Sequence, residues 1–247
     1  IVIIGDGSGN LYAASTISSD CNSFLWTYTT GGAIRSSPLI DDYGTVFVGS
    51  RDGYLHAVNI TDGTLKWKTA SSAGHHFDSS PAIDRHGILV YIADKHGKLM
   101  AIRARKFGGD SYNPGDVVWS QKVGNGDAIY SSPAIDIDGN LYISSTDGFV
   151  YAYNGYTGNN IWSINTGRSM FFVSPAIGGR GSIYVGNDDG ILMAIGPTTA
   201  TNVCDNTSLA ATNYNYTTVD MDLTCASVCP AGTGSNDVLM CVTCTIG

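Results

Sequence analysis

The sequence predicts an all-β fold: a β-propeller of about five four-stranded blades, the first and last incomplete, followed by a small disulfide-rich C-terminal tail. Three recurring features carry that expectation. Ser36-Ser37-Pro38-Leu39-Ile40 returns as Ser79-Ser80-Pro81-Ala82-Ile83, as Ser131-Ser132-Pro133-Ala134-Ile135 and as Val173-Ser174-Pro175-Ala176-Ile177, with the prolines 43, 52 and 42 residues apart. A turn glycine recurs at Gly9, Gly53, Gly97, Gly148 and Gly190, in steps of 44, 44, 51 and 42. All four tryptophans, Trp26, Trp67, Trp119 and Trp162, fall at one phase of the same period. Three independent markers that share one period make chance a poor explanation.

The second unit shows how each repeat reads. Residues 38–40 begin a first strand, and Asp41-Asp42-Tyr43-Gly44 turns the chain. Residues 45–50 alternate and are rich in β-branched and aromatic side chains, so they form a second strand. Arg51-Asp52-Gly53 is a hairpin turn, with Gly53 free to take positive φ. Residues 54–59 make the third strand, Thr61-Asp62-Gly63 turns again, and residues 65–69 make the fourth. The small residues Ala57, Ala101, Ala152 and Ala194 suit packing near a crowded axis. An insertion at residues 106–116 accounts for the longest step, and its Gly108-Gly109-Asp110 and Asn113-Pro114-Gly115 are loop chemistry. Trp26, Trp67, Trp119 and Trp162 are the repeat core, read as packing between blades rather than as a ligand platform.

The run Ser-Ser-Pro-Ala-Ile-Asp, Tyr-Ile-Ser-Ser-Thr-Asp-Gly, Val-Tyr-Ala-Tyr and Thr-Gly-Asn-Asn-Ile-Trp, within residues 131–162, resembles the PQQ-like (quinoprotein-type) repeat. The resemblance covers about residues 1–197 and implies a propeller. It implies no single activity, because the family includes quinone dehydrogenases, outer-membrane assembly scaffolds and luminal sensor domains. The dehydrogenases use a larger ring, a calcium ion and a carboxylate base. This chain has too few repeats and no adjacent Cys-Cys pair, so no catalytic, cofactor-binding or metal-binding residue is carried over and no cofactor is expected.

The first unit lacks a Ser-Ser-Pro strand and the fifth lacks a tryptophan strand. Two sheet edges therefore need cover, since open edges invite pairing with other chains. Residues 214–223 are strand-like and one source of cover; a neighbouring molecule adding strands is another, and would build a polymer.

Composition bounds the partners. Of 247 residues 14% are charged, and the net charge of −8 repels polyanions, so nucleic acid is not an expected partner. Arg103, Arg105 and Lys106 form the one basic cluster, read as a solvated loop. No stretch reaches the ~20 apolar residues of a membrane span. The chain opens on Ile1-Val2-Ile3-Ile4, a strand already under way, so a processed or truncated N-terminus is expected.

The segment 198–247 is expected to be a Cys-rich, disulfide-bonded, glycosylated tail. Cys204, Cys225, Cys229, Cys241 and Cys244 lie there, and Cys21 lies in the first unit. An even count points to disulfides and an oxidising compartment. The sequons at Asn59, Asn206 and Asn215 point to N-linked glycans. Cys225 to Cys244 resemble small Cys-rich modules of extracellular receptors and matrix proteins. Four thiolates also offer a tetrahedral zinc site, the less favoured reading beside the sequons. Cys21 and Cys204 are paired as a clasp between the ring ends, with Cys204 bonded inside the tail as the alternative.

Asp136-Ile137-Asp138-Gly139 is half a calcium loop, but its equivalents at Asp41 and Asp84 read as Asp-Gly turns. His75, His76, His86 and His96 read as polar loop residues. With no catalytic constellation in the sequence, the expected function is a non-catalytic, secreted structural or interaction protein. It would be a subunit of an extracellular or cell-surface assembly, including a filament, with copies of itself or other extracellular proteins as partners. A monomeric propeller that binds a glycan or peptide is the alternative, and a quinone dehydrogenase fragment the third reading.

Overall fold

The computed structural model describes residues 1–16, 24–71, 74–170, 172–179, 181–197, 223–228 and 239–246. Five antiparallel sheets follow one another along the chain. Unit one holds β1 (Val2–Gly5), β2 (Asn10–Ala14) and β3 (Phe24–Thr29). Unit two holds β4 (Leu39–Ile40), β5 (Thr45–Gly49), β6 (Tyr54–Asn59) and β7 (Leu65–Ala70). Unit three holds β8 (Ala82–Ile83), β9 (Leu89–Ala93), β10 (Lys98–Arg103) and β11 (Val117–Lys122). Unit four holds β12 (Ala134–Ile135), β13 (Asn140–Ser144), β14 (Phe149–Asn154) and β15 (Asn160–Asn165). Unit five begins with β16 (Ala176–Ile177), β17 (Ile183–Gly186) and β18 (Ile191–Pro197).

Each complete unit is a simple meander whose short first strand lies innermost; β12 touches both β8 and β16. The core lies between the sheets. Leu11, Ala13 and Trp26 of unit one pack on Val46, Val48 and Val58 of unit two. Phe47 and Leu55 meet Val90, Ile92 and Met100. Tyr91 and Leu99 meet Leu141, Ile143 and Tyr151, and Val150 and Ile164 meet Ile183, Val185 and Met193. Neighbours on both faces explain why β5 and β9 are buried at every residue, although alternation was expected of residues 45–50.

Two of the sequence markers, the tryptophans and the serines, act at these boundaries. Trp26 donates Nε1–H to the carbonyl of Ile60 in the next unit at 2.8 Å, and Trp119 does the same to Gly155 at 2.7 Å. A Cβ on Gly63 or Gly158 would stand 2.7 Å from the tryptophan ring of the preceding unit, so the ring is seated on bare backbone. Ser36, Ser79 and Ser131 each accept a backbone N–H from the end of the second strand and return a bond to a carbonyl there. The following serines link units: Ser37 N–H donates to Ser80 Oγ, Ser80 to Ser132 and Ser132 to Ser174, at 2.8–2.9 Å. Ala57, Ala101 and Ala152 stand on the third strand opposite Trp67, Trp119 and Trp162, where the register then shifts. Their small size makes room for the indole rather than for the axis.

Unit five departs from the three strands read from sequence. β20 (Leu239–Ile246) pairs with β18, and β19 (Leu223–Val228) pairs with β20, so the sheet runs β16-β17-β18-β20-β19. The edge of β18 carries unpaired N–H and C=O groups, and a strand from the 198–247 segment takes them up. Of the expected strand at residues 214–223, all but Leu223 lies outside the described residues.

Candidate interaction surfaces

At the boundary of units one and two, Tyr28 Oη is 2.8 Å from His56 Nδ1, and His56 Nε2 is 3.0 Å from Asp52 Oδ2. Asp52 also accepts N–H groups from Gly31 and Tyr54. Burial opposes its ionised form, but His56 and those two N–H donors outweigh it and push the carboxyl down to about 2. His56 is only 1% exposed. Unit four repeats the arrangement with Tyr151 donating to Asp147 at 2.6 Å from the corresponding positions. A carboxylate that ties the second hairpin turn to the third strand in two units is a fold device, so Tyr28-His56-Asp52 is read as structural.

The other histidines also serve the loops. His75 stacks on His96 with centroids 3.8 Å apart, and His76 Nδ1 contacts the carbonyl of Arg51. Arg51 makes a bidentate pair with buried Asp78 at 2.7 and 2.8 Å, which joins units two and three. Among the described residues no group of three or more His, Cys, Asp or Glu is placed to hold a metal ion. Asp136 spends Oδ1 on two backbone N–H groups and Oδ2 on Asn140 and Tyr142.

Among the described residues two surfaces stand out. The first is the pair of terminal faces. In unit one Leu11 and Ala13 face unit two, while Val2, Ile4 and Phe24 remain 51%, 58% and 53% exposed. In unit five Ile183, Val185 and Met193 face unit four, while Tyr184 and Leu192 remain 42% and 39% exposed. Among the described residues no hydrogen bond and no shared core joins unit one to unit five. Among the described residues an apolar sheet face is thus left at each end of the series of units.

The second surface is a cleft of about 470 Å³ between the first turns of units two and three, walled by Tyr43, Arg85, Arg105 and Phe107 over Asp41 and Asp84. Arg105 lies 3.9 Å over the Tyr43 ring and donates to Tyr43 Oη and to the carbonyls of His86 and Gly87. Arg103, expected in a solvated loop, is 7% exposed and pairs with Asp110 of the insertion. In the sequence Asp41 and Asp84 read as turn residues. The signal that separates them from Asp136 is downstream: Asn140 and Tyr142 are replaced by Thr45 and Phe47 after Asp41.

Of the residues singled out by sequence, Trp26, Trp67, Trp119 and Trp162 are placed between units. Asn59 ends β6, and its Oδ1 accepts the N–H of Thr61 at 3.1 Å. Cys225 lies on β19, and Cys241 and Cys244 on β20, with Cys225 opposite Cys244 in the register. Cys21, Cys204, Cys229, Asn206 and Asn215 lie outside the described residues.

Comparison with known proteins agrees with this architecture. The chain is similar to outer membrane protein assembly factor BamB of Moranella endobia (strain PCIT), at 23% identity over 60% of this chain and 38% of that protein. It is similar to the protein of the same name from Yersinia pestis, at 24% identity over 62% of this chain and 37% of that one. The chain thus spans less than two fifths of the length of these curated relatives. Its fold matches the crystal structure of BamB from Moraxella catarrhalis with a TM-score of 0.61 and 21% identity, over 78% of this chain and 53% of that one. The repeat family described as outer membrane protein assembly factor BamB matches residues 1–108 and 110–234, and the chain belongs to that family of PQQ-type propellers.

Proposed function

We propose that this chain is a non-catalytic scaffold that joins protein chains outside the cytoplasm through the apolar sheet faces of its first and last units. The observation that carries the reading is the apolar sheet face left at each terminus, Val2, Ile4 and Phe24 at one end and Tyr184 and Leu192 at the other. Soluble proteins rarely leave contiguous apolar faces open unless something docks there. The relatives' printed name, an assembly factor, supports a role in bringing other proteins together. Six cysteines and three sequons support an oxidising, extracellular or cell-surface setting with N-linked glycans.

The occupants of the end faces include further copies of this chain. The two faces differ, so a copy-to-copy contact is head to tail, and one that does not close builds a filament. The test is the mass of the native, unreduced protein by light scattering, with electron microscopy of the same material. Assembly that Ile4→Lys and Leu192→Lys each abolish, with folding retained, is the expected outcome. A monomer at all concentrations that also captures no partner by cross-linking at residues 2 and 4 refutes the scaffold.

A further inference from the structure

We propose that the inner edge of unit one binds an extended segment of a separate polypeptide, of the pattern Ser-Ser-Pro-x-Ile, as an added strand. This goes beyond the scaffold reading. It concerns the backbone edge of β1, not the apolar face of its sheet, so the two can fail separately.

In units two to five the second strand is paired on both sides. β5, β9, β13 and β17 each meet the third strand on one side and a short first strand on the other. The first-strand contacts recur in one register. Leu39 and Ile40 face Phe47 and Val46, and Ala82 and Ile83 face Tyr91 and Val90. Ala134 and Ile135 face Tyr142 and Leu141, and Ala176 and Ile177 face Tyr184 and Ile183. Ile3 stands opposite Ala13 as Phe47 stands opposite Ala57, so Ile3 and Val2 hold the corresponding positions on β1. Among the described residues β1 pairs with β2 alone.

The other edge of β1 carries backbone groups of known direction. Asp6 donates its N–H to the Asn10 carbonyl on the β2 side at 2.9 Å. Successive residues of an antiparallel pair turn their N–H and C=O to alternate sides, so Ile3 and Gly5 present theirs to the edge away from β2. The later units show what such groups take. Gly49 N–H donates to Ser36 Oγ at 2.8 Å, and the same hydroxyl donates to the Gly49 carbonyl at 3.0 Å. Ala93 and Ser144 bind Ser79 and Ser131 in the same way. Gly5 faces Leu11 as Gly49 faces Leu55, so it is the corresponding residue of unit one. A further group belongs to the set. Ser80, Ser132 and Ser174 Oγ each accept an N–H from the serine of the preceding unit. Ser37 Oγ, exposed beside unit one, receives no such N–H among the described residues.

These groups specify the occupant residue by residue. The first serine bridges Gly5 N–H and C=O, the N–H of the second reaches Ser37 Oγ, and the x-Ile pair lies along Ile3 and Val2. The proline has no N–H, so it leaves no donor unpaired between them. Adding a strand to an open sheet edge takes its affinity from such main-chain bonds and its specificity from alternate side chains. The sequence points to a separate chain as the source. Its four Ser-Pro-x-Ile segments, at Pro38, Pro81, Pro133 and Pro175, already serve as first strands in units two to five, and a second copy has its own committed likewise. Val228-Cys229-Pro230-Ala231-Gly232 comes nearest among the rest, with Cys for Ser and Gly for Ile.

The test is titration of the intact chain with a capped Ser-Ser-Pro-Ala-Ile-Asp peptide, followed by amide NMR shifts and hydrogen exchange at Ile3 and Gly5. Saturable binding with millimolar or tighter Kd is expected, with exchange slowed at both amides. Ser37→Ala should weaken binding by about two- to tenfold, the loss of one neutral hydrogen bond, with a melting curve that overlays the parent. A peptide N-methylated at its alanine cannot donate to the Ile3 carbonyl and should not bind. Absence of saturable binding, or equal binding of the N-methylated peptide or by Ser37→Ala, overturns the proposal. Slow exchange at Ile3 and Gly5 in the chain alone, unchanged by peptide, also overturns it and assigns the edge to this chain's own residues.

Discussion

Seating each indole on a bare glycine of the next unit makes a sharp prediction for Gly158→Ala. Gly158 has φ of +74°, and a Cβ there would lie 2.7 Å from Trp119 Cδ2 and 2.8 Å from Cε3. The ring has little room to withdraw, because its Nε1–H is bonded to Gly155 and its other neighbour is Tyr91. Two effects add. The left-handed backbone costs an alanine about 1–2 kcal/mol, and overpacking a formed boundary about 1–3 kcal/mol. A restricted unfolded chain returns about 0.4–1 kcal/mol. Gly108 separates the effects, since it has φ of +56° but nothing within 4 Å of its Cβ position. Gly158→Ala should therefore be less stable than Gly108→Ala by about 1–3 kcal/mol in urea unfolding followed by circular dichroism. Gly63→Ala, facing Trp26 at 2.7 Å, should behave like Gly158→Ala. Equal stabilities within about 0.5 kcal/mol would refute the seating argument.

Three further outcomes are expected. Asp52 has its carboxyl pushed down from 3.8 to about 2, so its contribution is present above pH 3.8 and lost as the pH falls through about 2. Acid unfolding of the parent should be steeper in that window than that of Asp52→Asn by about 1–2 kcal/mol, and parallel curves would count against the network. Cys225 and Cys244 stand opposite each other on β19 and β20, so a non-reducing peptide map should join them, and linkage of Cys225 to Cys204 would reject that pairing. Asn59 offers only Oδ1 to its turn, so its amide nitrogen is open to modification, and an unmodified Asn59 peptide from native material would discard the first sequon.

The repeat was legible because the tryptophans and serines serve boundaries between units and the turn glycines a positive-φ hairpin in each unit, and both recur. Trp26 and Trp119 need the same bare backbone opposite them, and Ser80 and Ser132 need the same N–H from the preceding unit, so residue type and period are fixed together. What departs from the period was harder to read. The insertion hid Arg103 and Arg105, which look solvated by composition yet are committed to Asp110 and to Tyr43. The cleft was invisible to any reading of a single unit, because its walls come from two adjacent ones. Residues 214–223 read as the strand-like cover for unit five, whereas β18 pairs with residues 239–245, an apolar run interrupted by Thr243 and two cysteines that read as disulfide framework rather than strand.

Sheets coupled to their neighbours behave as a one-dimensional chain, and among the described residues four shared cores join the five units. Melting an interior sheet breaks two couplings at once; melting a terminal sheet breaks one. Local opening therefore enters from the ends, and amide protection should rise from β1 toward β9 and fall again toward β18. Anything that seats on a terminal sheet adds a fifth coupling and turns the least protected unit into an interior one. The partner of this chain is thus also a determinant of how long its terminal strands stay folded.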